Sequence, residues 1–132
     1  MFDGEDLKKI FAMDGFLKNI EFEVSYIREG SIEISVPLRE NLMRIGNIMN
    51  GGAIMAISDA VGGLTVLTYG SVINQVTVNF STEFIRPIGI GPVVFRSNMV
   101  RIGKNIAYVD VEAIDGKGDL CSKSMGTYYI YR

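Results

Sequence analysis

The sequence predicts an α+β fold in which an antiparallel sheet wraps around one long central helix. Three observations carry this prediction: a change from helical spacing to period two, one long apolar segment after Asn50, and short turns between the later strands. Strands joined by short turns form an antiparallel sheet, and an apolar helix needs a concave sheet to cover it. The chain has 132 residues, which suits one domain over residues 1–132.

The first part of the chain predicts a short helix and a hairpin. Residues 6–13 carry apolar side chains at helical spacing, which is typical of an amphipathic helix. From Ile20 the period changes to two and continues beyond a polar turn to Val36, which predicts two strands with one buried face. Pro37 ends the second strand, and we expect residues 38–49 to form a connecting loop.

The long helix is predicted to begin at Asn50 and to end near Tyr69 and Gly70. Asn50 is a favoured N-cap residue, and glycine is favoured just after a helix. Because every face of this segment is apolar or small, we expect the helix to be covered nearly all round. Strands are predicted to follow at residues 72–86, 93–102, 106–114 and 120–131.

A sheet wrapped around one helix leaves one sheet edge and one side of the helix uncovered. A symmetric homodimer is the commonest way for a small chain to cover such surfaces. We therefore expect a homodimer.

Asp59 is the only charged residue between Arg44 and Glu83, and it lies within the apolar helix. An unpaired ionised carboxylate among apolar side chains costs several kcal/mol, so the sequence predicts a partner or a chemical function for it. A structural role as a hydrogen-bond acceptor between elements is the competing interpretation. Asp59 also argues against a membrane-spanning helix over residues 52–69, because an acid near the middle of such a helix is costly.

Composition excludes several classes of function. The chain has no histidine, which excludes mechanisms with an imidazole base and removes the commonest zinc ligand. The single Cys121 excludes an internal disulfide and a paired-cysteine metal motif, so no metal site is predicted. A net charge of −2 argues against nucleic-acid binding. The acidic amino terminus lacks the pattern of a secretory signal, and we expect a cytoplasmic protein.

Several motifs lie around the long helix: Asn47-x-x-Asn50-Gly51-Gly52, Asp59, Thr77-Val78-Asn79-Phe80, Phe84-Ile85-Arg86-Pro87 and Arg101-Ile102-Gly103-Lys104. Together they resemble one family, the hotdog-fold acyl-CoA thioesterases of the phenylacetic acid degradation type. The resemblance covers the chain from Phe16 onward. It implies a hotdog domain that hydrolyses an acyl-CoA ester, with aromatic esters such as phenylacetyl-CoA among the candidates. It also implies a dimer of dimers, and no cofactor beyond the coenzyme A of the substrate.

The resemblance assigns catalytic roles to four residues. The Gly51 N–H would donate to the developing oxyanion at the helix amino terminus. Asp59 would act as a general base or as a nucleophile, and Thr77 would orient the attacking water or the carboxylate. Asn50 replaces the histidine that these enzymes usually carry, and its side chain can still form hydrogen bonds.

The resemblance also suggests how coenzyme A binds. Arg86, Arg101 and Lys104 are candidates for binding its phosphates, although charged turns are usually only solvated. Arg44 replaces an Asn or Gln that is common in the family. It could pair with Asp59 or with a ligand phosphate.

The spacing along the helix predicts a site shared between two chains. The nine residues from Asn50 to Asp59 give a rise of about 13.5 Å and a half-integral number of turns, so we expect Gly51 and Asp59 on opposite sides. If both serve one site, they must come from two subunits with antiparallel central helices. The small neighbours Ala56, Gly62 and Gly63 leave room for that approach.

Two other functions compete with the thioesterase hypothesis. A non-catalytic protein that binds acyl-CoA or another acyl ligand would keep the fold and the cleft without turnover. A purely structural oligomer subunit would bind no coenzyme A ester, so such esters would not raise its melting temperature.

Overall fold

The computed structural model describes residues 1–132 and shows a curved antiparallel sheet packed against one long helix, which confirms the predicted α+β hotdog fold. The helices are α1 (Gly4–Met13) and α2 (Gly51–Val66), with short 3-10 turns at Leu17–Asn19 and Glu40–Leu42. The strands are β1 (Glu23–Arg28), β2 (Ser31–Val36), β3 (Met43–Arg44), β4 (Ile48–Met49), β5 (Asn74–Phe84), β6 (Val93–Ile102), β7 (Ile106–Ile114) and β8 (Leu120–Tyr131). Six strands form the main sheet in the order β1-β2-β6-β7-β8-β5.

Helix α2 begins where the sequence predicts and ends earlier. The Asn50 side chain accepts a hydrogen bond from the Ala53 N–H at 3.1 Å, which confirms the predicted N-cap. The helix ends at Val66, short of Tyr69 and Gly70. The Thr68 hydroxyl donates to the Thr65 carbonyl at 2.6 Å and accepts from the Gly30 N–H at 2.9 Å, so this turn is anchored to the β1–β2 turn.

One side of α2 packs on the sheet and the opposite side does not. Residues such as Ile57 and Val61 are fully buried against the sheet, whereas Ala56, Asp59 and Ala60 are only half-buried. The expected cover on nearly every side is therefore wrong for a single chain. The expectation that one side of the helix stays uncovered is confirmed, because the sheet curves around only part of the circumference.

Strand β5 forms an unpaired edge of the main sheet. It is bonded to β8 on one side only, and it carries a bulge between Thr77 and Asn79. Val76 and Val78 are 49% and 61% exposed, so this otherwise largely polar strand presents two apolar side chains to solvent. A long, unpaired edge strand is a template for pairing with another strand.

The segment before α2 is more ordered than the predicted loop. Strands β3 and β4 form a small hairpin, whose turn places Gly46 and Asn47 in the left-handed region at φ 95 and 58. Two-residue strands leave no periodic signal in a sequence, which is why residues 38–49 resemble a loop. The hairpin leads directly into Asn50, whose N–H donates to the Leu42 carbonyl at 2.8 Å.

None of the helices combines the length and the apolar character that crossing a membrane would require.

Candidate active site

The amino terminus of α2 opens on a cleft of about 340 Å³. Its walls are mostly apolar, and they come from the β3–β4 hairpin, from α2 and from the segment around the end of β5: Arg44, Ile48, Met49, Gly51, Ile54, Phe84, Ile85, Arg86, Pro87 and Ile88. Gly51 is the first helical residue, so its N–H has no partner within the helix. The cleft therefore combines an apolar lining with a free backbone donor.

Two arginines line the same cleft. Arg44 comes from β3, and Arg86 follows β5 and donates to the Leu120 carbonyl at 3.1 Å. Both side chains are exposed, and neither forms an ion pair within the chain. Within one chain Arg44 does not pair with Asp59, because the two residues line different clefts. The two guanidinium groups are free to bind an anion beside the apolar cleft.

The structure does not bring Arg101 and Lys104 to this cleft. They lie at the β6–β7 turn, where Arg132 donates to the carbonyls of Lys104 and Gly103. This turn is next to the carboxyl end of β8, whereas Arg86 is next to its amino end. A strand of that length spans about 35 Å, so one phosphate cannot contact both groups of cations in the same chain.

Asp59 lies further along α2, with its carboxylate held by two hydroxyl groups. Oδ1 accepts from the Thr77 Oγ1 at 2.8 Å and from the Tyr128 Oη at 3.2 Å. The residue is half-buried and lines a second cleft, of about 300 Å³, together with Asp14 and Phe16. The expected enclosure among apolar side chains is thus only partial. No lysine or arginine forms an ion pair with this carboxylate.

Thr77 reaches Asp59 because of its place in the sheet. It lies on β5 directly opposite Tyr128 of β8, and both side chains point to the face that carries α2. The predicted proximity of Thr77 to the carboxylate is therefore present in the structure. Its role in catalysis stays a prediction.

Tyr128 is the site residue that the sequence did not identify. Alternation along β8 predicts an inward side chain, but a strand tyrosine is usually a packing residue. Tyr128 is fully buried, and its Oη also contacts the main-chain carbonyl of Asp59 at 3.1 Å. A Cβ at Gly62 or at Gly126 would collide with the phenol, so both glycines make room for it.

The phenol of Tyr128 is a permanent donor at neutral pH. Burial, followed by the charge of the nearby Asp59, raises the pKa of Tyr128 well above its usual value. The hydroxyl therefore keeps its proton and can donate it toward the oxygens of Asp59.

Gly51 and Asp59 do not form one site within a single chain. They are eight residues apart, about 12 Å along the helix axis and about 80° around it. The predicted placement on opposite sides is wrong. It uses the nine-residue spacing from Asn50 to Asp59, whereas Gly51 and Asp59 are separated by eight residues. The axial separation still prevents both groups from contacting one carbonyl, and each lines its own cleft.

The chain is similar to known proteins in sequence. The family model described as the thioesterase superfamily matches residues 46–122. A protein of Thermoplasma acidophilum named "Putative esterase" is 89% identical over 132 residues, with 100% of both chains covered. A Thermoplasma volcanium protein of the same description is 64% identical, and the match covers 100% of this chain and 99% of the relative.

Solved structures share the fold at low sequence identity. A thioesterase from Haemophilus influenzae has a TM-score of 0.89 at 22% identity, with 100% of this chain and 92% of that chain covered. A hypothetical thioesterase from Streptococcus pneumoniae, crystallised with coenzyme A, has a TM-score of 0.81 at 18% identity over 96% and 95% of the two chains. These likenesses establish the architecture.

Proposed function

Because the chain belongs to the thioesterase superfamily, we propose that it is an acyl-CoA thioesterase that hydrolyses an acyl-CoA ester to a free acid and coenzyme A. The observation that carries this proposal is the half-buried Asp59 carboxylate, held by the hydroxyls of Thr77 and Tyr128. A carboxylate placed in this way can activate water without a histidine. The related S. pneumoniae structure with bound coenzyme A supports the substrate class.

The proposed reaction is general-base hydrolysis of the thioester. Asp59 takes a proton from water while the water oxygen bonds to the carbonyl carbon. The Gly51 N–H donates to the carbonyl oxygen as that oxygen becomes negative. The tetrahedral intermediate then collapses, the C–S bond breaks, and Asp59 returns the proton to the sulfur. The products are an acid and a thiol, and coenzyme A enters only as part of the substrate.

The apolar cleft next to Gly51 suits the acyl group. Phe84 lies 3.5 Å from the position of a Cβ at Gly51, and Ile54 and Ile88 form buried parts of the wall. These side chains favour aliphatic or aromatic acyl groups over polar ones. Phenylacetyl-CoA belongs in the first panel of substrates for this reason.

The proposed site is shared between the subunits of a homodimer. One chain contributes Asp59, Thr77 and Tyr128, and the other contributes Gly51 and its cleft. The free edge of β5 offers the surface for antiparallel pairing of two copies, which would bring the uncovered sides of both α2 helices together. We also propose that two such dimers associate. The proposed location is the cytoplasm, where the Cys121 thiol would stay reduced.

Mixed dimers test the shared site. Gly51→Pro removes the backbone donor, and Asp59→Asn removes the base. Coexpression of the two variants with different tags allows isolation of heterodimers that carry one lesion in each chain. If the site is shared, one of the two sites is intact, and we expect about half of the wild-type activity. If the heterodimers are as inactive as the Gly51→Pro and Asp59→Asn homodimers, the whole site lies within one chain and the shared site is ruled out.

The two arginines at the cleft are proposed to bind phosphates of coenzyme A. Replacing Arg44 or Arg86 by Gln removes a charge-assisted contact, so we expect the KM for an acyl-CoA to rise about 10-fold. The KM for the matching acyl-pantetheine, which lacks the nucleotide, should change little. Steady-state thiol release measures both constants.

Arg101→Gln is the matched control for these variants, since Arg101 lies at the distant β6–β7 turn. An equal rise in KM for acyl-CoA and acyl-pantetheine would contradict the assignment of Arg44 and Arg86 to the phosphates.

A further inference from the structure

We propose that Tyr128 is a positioning residue that fixes which oxygen of Asp59 accepts the proton from water, an inference that rests on the proposed thioesterase function. The geometry around the carboxylate points to Oδ2 as that oxygen. The role of Tyr128 is to hold the other oxygen in place.

The hydrogen bonds distinguish the two oxygens of the carboxylate. Thr77 donates to Oδ1 at 2.8 Å, and Tyr128 shares its one hydroxyl proton between Oδ1 at 3.2 Å and the main-chain carbonyl of Asp59 at 3.1 Å. Each carboxylate oxygen offers about two lone-pair directions, so these two hydroxyls occupy the directions that Oδ1 offers. Oδ2 receives neither bond. It is therefore the oxygen that is free to approach water.

Tyr128 is better suited than Thr77 to set this orientation. Thr77 lies on the edge strand β5 and is exposed. The ring of Tyr128 is fully buried, and its space is defined by Gly62 and Gly126. Its Oη lies within hydrogen-bond distance of both the main-chain carbonyl and Oδ1 of Asp59, and this double contact restricts rotation of the Asp59 side chain.

A second carboxylate lines the same cleft as Asp59. It belongs to Asp14, from the segment after α1. Its carboxylate accepts the N–H groups of Leu17 and Phe16, both at 2.9 Å, and these bonds hold the pKa of Asp14 below its usual value. Asp14 is thus anionic at neutral pH. The cleft that Asp59 lines therefore carries a second negative charge.

Tyr128→Phe tests the inference because it removes the hydroxyl and keeps the ring. We expect kcat to fall about 10- to 100-fold with little change in KM, because a misplaced base slows the chemical step more than binding. We also expect the acid limb of the pH profile of kcat/KM to move to higher pH, since a carboxylate that loses a donor is protonated more readily. Tyr129→Phe is the matched control, because Tyr129 is the next residue in β8 and its side chain is exposed.

A second replacement keeps the test decisive if Tyr128→Phe does not fold. Tyr128→3-fluorotyrosine retains the packing and makes the phenol a stronger donor, so the acid limb should move to lower pH. Wild-type protein that is inactive toward every acyl-CoA would overturn the proposed function itself. Active wild-type protein, together with Tyr128 variants whose kcat and pH profiles match those of Tyr129→Phe, would overturn the role of Tyr128 alone.

Discussion

Asp59→Asn is expected to lower kcat for acyl-CoA hydrolysis about 10²- to 10⁴-fold, the usual contribution of a general base. An amide oxygen can still accept the bonds that Thr77 and Tyr128 donate to Oδ1. The other end of the side chain becomes an NH₂ group, which cannot take a proton from water. The variant should therefore fold and bind substrate while losing turnover. Thiol release under saturating ester measures the effect.

Asp110→Asn is the control for a general loss of negative charge. Asp110 lies on β7, and its carboxyl is half-buried, with burial raising its pKa. It lines neither cleft, so this variant should keep the wild-type kcat. Equal activity of Asp59→Asn and wild type would contradict a catalytic role for Asp59 and would leave it the structural role of an acceptor.

The same assay separates the thioesterase from the competing binding protein. A non-catalytic binder would show no turnover in wild type or in Asp59→Asn, and acyl-CoA would still raise its melting temperature. A structural subunit would show neither turnover nor a thermal shift. After a single turnover in H₂¹⁸O, label in Asp59 would identify it as a nucleophile whose acyl anhydride is opened by water at the Asp59 carbonyl carbon, because a general base gains no oxygen.

Gly51→Pro is expected to lower kcat about 10²- to 10³-fold, the usual effect of losing one oxyanion donor. Proline lacks the N–H that Gly51 is proposed to donate. The first helical position tolerates proline, since its N–H is not used by the helix. Asn50 already has φ −62 and ψ 129, the extended conformation that a residue before proline prefers. The helix should therefore form as before.

Gly51→Ala is the matched control because it adds a side chain and keeps the N–H. Its Cβ would lie 3.5 Å from the Phe84 ring, which is an ordinary contact. We expect Gly51→Ala to retain most of the wild-type kcat, with circular dichroism and melting temperature confirming that both variants fold. Similar losses in the two variants would show that space in the cleft matters more than the backbone donor.

Strong periodic signals predicted most of the fold. The alternation in β6, β7 and β8, and the Asn50 cap of α2, appear where the sequence places them. The sequence does not predict the β3–β4 hairpin, because strands of two residues have no detectable period. It predicts too late an end for α2, because the Thr68 hydroxyl ties the final turn to Gly30, a contact between residues far apart in sequence.

The candidate site was predicted in part. Asp59 and Thr77 were singled out by an isolated charge and by a motif, and the structure brings them together. Tyr128 was not singled out, since its sequence pattern is that of a packed strand residue. Gly62 and Gly126 make room for the phenol, but the sequence alone does not connect these two glycines with Tyr128.

Local periodicity and composition are enough to establish the type and order of the main elements and the presence of a single acid in the apolar helix. Three other features follow only from the folded arrangement: the side of α2 that stays uncovered, the groups that donate to Asp59, and the cations that share a cleft with Gly51. Those features depend on the curvature and pairing of the sheet, which bring Thr77 and Tyr128 to Asp59 across 18 and 69 residues of chain.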